Sequence, residues 1–228
     1  MRRRFISNKV SFEPFYIEAL EDGVSYSIGV DTKYKIDNGD WMFLQKNENS
    51  PSINIGSRLY IKSERRDTAR FKITNGCRIG GDIRSLSYGD KFLTIKGLKY
   101  QYQFARLFYE CVSIREVDEN LLKFTELTEG CYSEMFVGCS IAKAPILPAT
   151  TLVPNCYPDM FNGCLYLNHI KMLATDISAN NCLNYWVRGV SSTGTFVKNP
   201  DATWDIRGED GIPEGWTVVN DGEESEGG

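Results

Sequence analysis

Cys131-Tyr132-Ser133-Glu134-Met135-Phe136-Val137-Gly138-Cys139 is followed, 25 residues on, by Cys156-Tyr157-Pro158-Asp159-Met160-Phe161-Asn162-Gly163-Cys164. Between the paired cysteines the Tyr, an acid, the Met, the Phe and the Gly recur in step. Cys182-Leu183-Asn184-Tyr185-Trp186-Val187-Arg188-Gly189-Val190 is a weaker third copy, and Leu107-Phe108-Tyr109-Glu110-Cys111 a degenerate first one. An internal repeat of this length implies units that cannot bury their own apolar faces and must stack on their neighbours.

Each copy continues into a strand-like half. Ile170 lies seven residues after Gly163, Phe196 seven after Gly189 and Val117 seven after Glu110, whereas Ala144 lies six after Gly138. The alternation Ala144/Ile146, Ile170/Met172 and Phe196/Lys198 predicts short parallel strands with those residues on one face. Lys143, Pro145 and Leu147, then His169, Lys171 and Leu173, fall on the other. Pro145 and Pro148 are compatible with very short strands near edges. The Cys-to-Cys element reads as a short helix. Tyr132, Met135 and Phe136 stand at i, i+3 and i+4, one helical face, and Gly138 or Gly163 supplies a left-handed cap. An exposed aromatic ladder for sugars is the alternative; at this spacing packing is the better reading. The expected repeat core is therefore Cys131, Tyr132, Met135, Phe136, Cys139, Cys156, Tyr157, Met160, Phe161, Cys164, Cys182 and Trp186. A unit pairing one strand with one helix or tight turn every 25 residues has the dimensions of a leucine-rich repeat.

The cysteines follow the same register. Cys131, Cys156 and Cys182 lie 25 and 26 residues apart, and Cys111, Cys139 and Cys164 lie 28 and 25 apart. Zinc sites space their ligands more closely, so no metal is expected and the two series read as ladders of small buried side chains.

Before residue 95 the pattern changes. Phe15-Tyr16-Ile17-Glu18-Ala19-Leu20, Val24-Ser25-Tyr26-Ser27-Ile28, Arg58-Leu59-Tyr60-Ile61-Lys62 and Ala69-Arg70-Phe71-Lys72-Ile73 read as strands. Lys33-Tyr34-Lys35-Ile36 and Trp41-Met42-Phe43-Leu44 flank Asp37-Asn38-Gly39-Asp40, a hairpin signal; a calcium loop would need a later Glu and more oxygens. Gly76-Cys77-Arg78-Ile79-Gly80-Gly81 reads as turns or bulges. The expected fold class is mainly β with short helices: an antiparallel, sandwich-like domain over residues 1–95, a short repeat domain over 96–220, and an acidic tail over 221–228.

The chain has 228 residues, 25% of them charged, with a formal charge of −4. That composition suits a globular protein and argues against nucleic-acid binding, which favours a basic face. No apolar run is long enough to span a bilayer. Met1-Arg2-Arg3-Arg4 opens like a signal peptide but no apolar core follows, so no secretory signal is read there. One His in the whole chain, and no phosphate-binding Gly-Lys loop, His-Glu-x-x-His or Gly-x-Ser-x-Gly, leave no catalytic residue and no cofactor to name. The expectation is a protein that is not an enzyme, with His169 as an ordinary exposed side chain.

Leu147-Pro148-Ala149-Thr150-Thr151-Leu152 followed by Cys156-Tyr157-x-x-Met160-Phe161-x-Gly163-Cys164 resembles the BspA-type leucine-rich repeat family of bacterial surface proteins. Leu173-Ala174-Thr175-Asp176-Ile177-Ser178-Ala179, Gly194-Thr195-Phe196-Val197-Lys198 and Asp210-Gly211-Ile212-Pro213-x-Gly215-Trp216 resemble its closing unit. Ala19-Leu20-Glu21-Asp22-Gly23 and Ile36-Asp37-Asn38-Gly39-x-Trp41 resemble a β domain that accompanies such repeats. The likeness covers nearly the whole chain, although the chain has about two full copies where the family has a long array. Two-part proteins of this kind occur in gut anaerobes of the Bacteroides group and in their phages and prophages. The resemblance implies adhesion or recognition without catalytic residues.

Two functions follow as expectations. In one, the chain is a phage or prophage virion protein, folded in the host cytoplasm, that displays a binding module. In the other, it is a cell-surface adhesin for host protein or glycan; the absent signal favours the first. Partners would be other virion or surface proteins, a host glycan or protein, or further copies of the chain. Alternation places Lys143, His169, Lys171 and the nearby Lys198 on the outward side of the repeat strands, a basic row suited to acidic glycans or an acidic protein face. A merely solvated face is the alternative for that row.

Overall fold

A computed structural model describes residues 13–64 and 69–223. The short apolar runs before residue 85 become seven strands: β1 (Tyr16–Ala19), β2 (Tyr26–Ile28), β3 (Thr32–Ile36), β4 (Met42–Leu44), β5 (Arg58–Lys62), β6 (Phe71–Ile73) and β7 (Cys77–Gly80). One four-residue helix, α1 (Ser85–Tyr88), and a 3-10 turn over Gly89–Thr94 lead to β8 (Ile114–Val117), β9 (His169–Met172), β10 (Thr195–Lys198) and β11 (Thr217–Asn220). The protein is mainly β. No helix among the described residues is long and apolar enough to cross a membrane.

Six strands form one sheet in the order β4-β3-β5-β1-β7-β8. Five pair antiparallel, and the hairpin around Asn38-Gly39 joins β3 to β4 with Lys33 opposite Phe43. The sheet departs from the expected antiparallel arrangement at β8, which pairs parallel with β7. The Gly76–Gly81 segment is thus a central strand with one bulge between Cys77 and Arg78, rather than a run of turns. Its glycines are there for space: a Cβ on Gly80 would collide with Asp118 and Tyr16, and Gly81 has φ +77° with Pro14 against it.

β8 belongs to the carboxy-terminal half, so residues on either side of position 95 share a sheet. They also share a core. Phe15 and Phe71 stack on Phe108 at 5.7 and 5.6 Å, and Phe108 stacks on Phe136 at 5.5 Å. One continuous apolar cluster runs from Phe15 to Trp216.

The Cys-to-Cys elements are not helices. In each, alternate residues hydrogen-bond in different directions. Cys131, Ser133, Met135 and Cys139 donate their N–H to the carbonyl three residues back. Tyr132, Glu134, Phe136 and Gly138 instead donate to Cys156, Pro158, Met160 and Asn162 of the next coil. The same ladder links Phe104–Glu110 to 131–137, and 157–163 to 182–188. The chain turns this way because every fourth residue is left-handed: Gly130, Glu134 and Gly138 have φ of 64°, 55° and 69°, and Asn155, Asp159 and Gly163 have 55°, 52° and 73°. A right-handed α-helix admits no such residue inside it. The i, i+3, i+4 apolar spacing survives because a four-residue period is close to the helical one.

The twelve expected core residues are all buried, none above 4% exposure. Phe104, Tyr132 and Tyr157 form one ring column, 6.2 and 6.0 Å apart and within 12° of parallel; Phe108, Phe136 and Phe161 form another. Trp186 occupies the methionine column, edge-on to Phe196. The cysteines have a local reason. The thiols of Cys111, Cys139 and Cys164 donate to the carbonyls of Phe71, Phe108 and Phe136, each the phenylalanine of the preceding layer. All seven cysteines are free and buried, and burial pushes the Cys111 and Cys164 thiols up to about 12. No cluster of His, Cys, Asp and Glu suited to a metal ion occurs among the described residues.

β9, β10 and β11 form a parallel three-stranded sheet with Ile170 beside Phe196 and Phe196 beside Val218. Lys143 and Leu147 make parallel bridges to His169 and Met172. The last full coil ends against a short closing segment: Glu209 accepts from Val187, the Asp210 carboxylate accepts from Tyr185 at 2.6 Å, and Gly211 accepts from the Trp186 indole. The carboxylate takes the place that a further coil's carbonyl would fill. Residues 1–4 and 224–228, on which the readings of the leader and of most of the acidic tail rest, lie outside the described residues.

Candidate functional site

Sequence reasoning placed recognition on Lys143, His169, Lys171 and Lys198. In-register neighbours of a parallel sheet point to the same side. Lys143 bridges His169, and Lys171 is two residues on, so these three share a face. Lys198 does not. It is in register with the buried Met172, on the opposite face, and its ammonium donates to the Ala202 carbonyl at 3.0 Å. Beside Lys171 stands Val197, which is buried.

The remaining three are not a free basic row either. Lys171 is ion-paired with Asp221, the first residue of the expected tail. Lys143 stands 3.9 Å from Glu119. His169 is half-buried rather than exposed. Each positive charge therefore has its balance built into the sheet or is partly withdrawn from solvent. Alternation with Phe196 already sets Lys198 on the Met172 face, away from the other three, and with both faces of β10 covered its period carries no inside–outside information.

A different surface stands out at the other end of the six-stranded sheet. β4 is an edge strand, and its Met42 and Phe43 are 45% and 62% exposed, with Trp41 just before them at 36%. Register puts Phe43, Lys33 and Lys62 in one row across β4, β3 and β5. The Lys62 ammonium lies 4.2 Å from the centre of the Trp41 ring, and Lys35 sits over Tyr60 at 5.0 Å. Lys62 also pairs with Asp90 at 2.8 Å, which holds that carboxyl below its usual range. Below Phe43 is a cavity of about 230 Å³ lined by Asp31, Lys33, Lys62, Glu64 and Asp90. Three carboxylates and two ammonium groups, with aromatic rings at the rim, suit polar contacts bordering an apolar strand edge.

The sequence contained part of this signal. Trp41-Met42-Phe43-Leu44 is a run of four apolar residues without alternation, unusual for a strand with one solvated face. Its place at the edge depended on the order of strands, which no local pattern gives.

Between the two ends the sheet carries a second polar network. Tyr16 donates to Asp118 at 2.7 Å and Arg78 to the other Asp118 oxygen at 2.6 Å. Burial alone would raise the Asp118 carboxyl, but these two hydrogen bonds and the Arg78 charge outweigh it and the net shift is downward. The network ties β1 and β7 to the residue that follows β8, so it holds the two halves together. Comparison of the chain with protein-family models, curated proteins and solved structures found no match.

Proposed function

We propose that this chain is a non-catalytic adaptor of a phage or prophage particle. Its amino-terminal sheet docks on another structural protein, and its stacked coils, a short leucine-rich-repeat solenoid of the BspA type, are displayed. The coil-to-coil hydrogen bonds, the ring columns and the parallel β9–β11 sheet support the solenoid reading. One observation carries the docking reading: the uncovered edge of β4, where Met42 and Phe43 face solvent. An open edge offers unpaired backbone donors and acceptors to an incoming strand. Natural sheets usually protect such an edge with charge or proline, and β4 has neither. The edge is at the end of the sheet away from β8 and the coils, so a partner strand added there leaves the coils clear.

The test is incorporation. Met42→Lys together with Phe43→Lys places charge on the edge, and the contact it removes on the core side is that of the Tyr34 hydroxyl with the Met42 sulfur at 3.8 Å. Thermal stability should change by no more than about 0.5 kcal/mol, the usual range for surface substitutions, while the chain disappears from purified particles by mass spectrometry. Retention of the double variant at the parent's level would overturn the docking reading. Recovery of the unaltered chain in the bacterial envelope, and never in particles, would assign it instead as an adhesin.

A further inference from the structure

Ser27 of β2 stands opposite Lys72 of β6, and Arg70 lies two residues before Lys72 on the same side. With Gly29 and Asn47 they line a cleft of about 260 Å³. Arg70 and Lys72 are exposed, and neither forms an ion pair with any described residue. This sets them apart from the cations of the cleft near β8. Arg78, Arg115 and Lys143 line that cleft, but Asp118, Glu21 and Glu119 already answer them. Among the described residues, no carboxylate lines the Arg70 cleft.

Arg70 is also held in place. Its guanidinium lies 4.4 Å from the centre of the Tyr109 ring, a cation–π contact with the first coil. Arg106, the other cation near that ring, is spent on Glu134 at 2.6 Å. The Asn47 side chain is presented by a left-handed residue at φ 64°, whose own N–H is anchored on the Ile28 carbonyl at 2.8 Å.

The chemistry of the lining is one-sided. An Arg fork, a Lys ammonium, a Ser hydroxyl and an Asn amide supply hydrogen-bond donors in excess, with two fixed positive charges. A tetrahedral oxyanion with three free oxygens offers more acceptor sites, spread in three directions, than the two coplanar oxygens of a carboxylate. The cleft is several water volumes in size, so the anion need not be a lone ion. We propose that this cleft binds a phosphate or sulfate ester carried on a sugar or polyol chain. The site is independent of the β4 edge, because β2 and β6 form a separate two-stranded sheet and Arg70 reaches the first coil through Tyr109, so it deepens the adaptor reading without resting on docking at β4.

The experiment is a titration of the full chain, followed by amide chemical shifts and calorimetry. The probes are inorganic phosphate, inorganic sulfate, a sulfated oligosaccharide, an oligosaccharide bearing phosphate monoesters and a carboxylate-only oligogalacturonate. Shifts should concentrate at Ser27, Asn47, Arg70 and Lys72, and one of the two ester polymers should bind more tightly than the carboxylate polymer; which one identifies the source of the ester. Arg70→Ala with Lys72→Ala should weaken binding at least about tenfold, as loss of charge-assisted hydrogen bonds does. Arg70→Lys should fall between, because the charge stays and the fork goes. Lys91→Ala with Lys96→Ala removes the same charge from exposed positions outside the cleft and should change binding less than about twofold, as expected for charges beyond a screening length. No saturable binding of any ester, or equal loss in both double variants, overturns the proposal. Tighter binding to a DNA duplex than to either ester polymer would also overturn it, by assigning the cleft to nucleic acid.

Discussion

Removing the ring of Phe161 tests whether the stacked coils and the amino-terminal sheet are one cooperative body. Phe161 is completely buried. Its ring lies 5.7 Å from that of Phe136 at 12° and 6.1 Å from that of Trp186. Burying an aromatic side chain removes roughly 150–250 Å² from water, worth about 4–6 kcal/mol at about 25 cal/mol/Å². Alanine recovers part of that area and leaves a cavity, which brings the expected loss for Phe161→Ala to about 3–5 kcal/mol. That is a large fraction of the 5–15 kcal/mol or so that holds a typical domain together. In a chain of this size it corresponds to a fall in Tm of roughly 6–20 °C. Guanidinium unfolding followed by far-UV circular dichroism and tryptophan fluorescence is the assay. Because Phe136 leads through Phe108 to Phe15 and Phe71, both signals should shift together in a single transition. A loss below about 1.5 kcal/mol, less than the range for buried large residues, would refute the packing. A second transition left at the parent's midpoint would refute the shared core.

Tyr132 is fully enclosed and its hydroxyl has no hydrogen-bond partner, so Tyr132→Phe should leave stability unchanged or raise it by up to about 1–3 kcal/mol, the penalty of a buried unsatisfied group; a clear loss in the same denaturation assay would mean the hydroxyl is satisfied. Asp118 gives the acid response. Its carboxyl titrates below the ordinary value in the folded chain, so its contribution is complete above the unfolded value of about 3.9 and is lost as pH falls through the lower folded one. Asp118→Asn should flatten the stability profile in that window, and an unchanged slope would refute the network's role. Tyr185 occupies a left-handed position at φ 51° on the surface. Tyr185→Asn should raise the unfolding free energy by up to about 1 kcal/mol, because Asn tolerates that conformation better; destabilisation of the same size would favour a helical segment there.

The repeat was legible because its residues are constrained by neighbours one coil away. Each ring column needs an aromatic or large apolar residue at the same place, and the thiols of Cys111, Cys139 and Cys164 each reach the preceding phenylalanine's carbonyl, so the period is written into residue type. The local conformation was misread for a reason that the same letters contain. Asn155, Asp159 and Gly163 are residues that tolerate positive φ, spaced by four, and Gly130 and Gly138 bracket Glu134 at the same spacing. A helix has no use for left-handed residues at every turn. The apolar period of three and four could not separate the two conformations, but this second, polar period does. The binding face failed differently. Alternation along β9 and β10 says which side chains share a face, yet Val197 is buried on the side that carries Lys171, and Asp221 reaches Lys171 from 50 residues away. Charge balance at such a site is set by tertiary contacts: Lys171 and Lys143 meet carboxylates, and Lys198 meets a backbone carbonyl. Arg70 and Lys72 show the converse. They lie in a segment with no repeat and no motif, and they are notable only because no acid among the described residues pairs with them. A candidate anion site in this chain is therefore defined less by where cations occur than by where the fold leaves them unanswered.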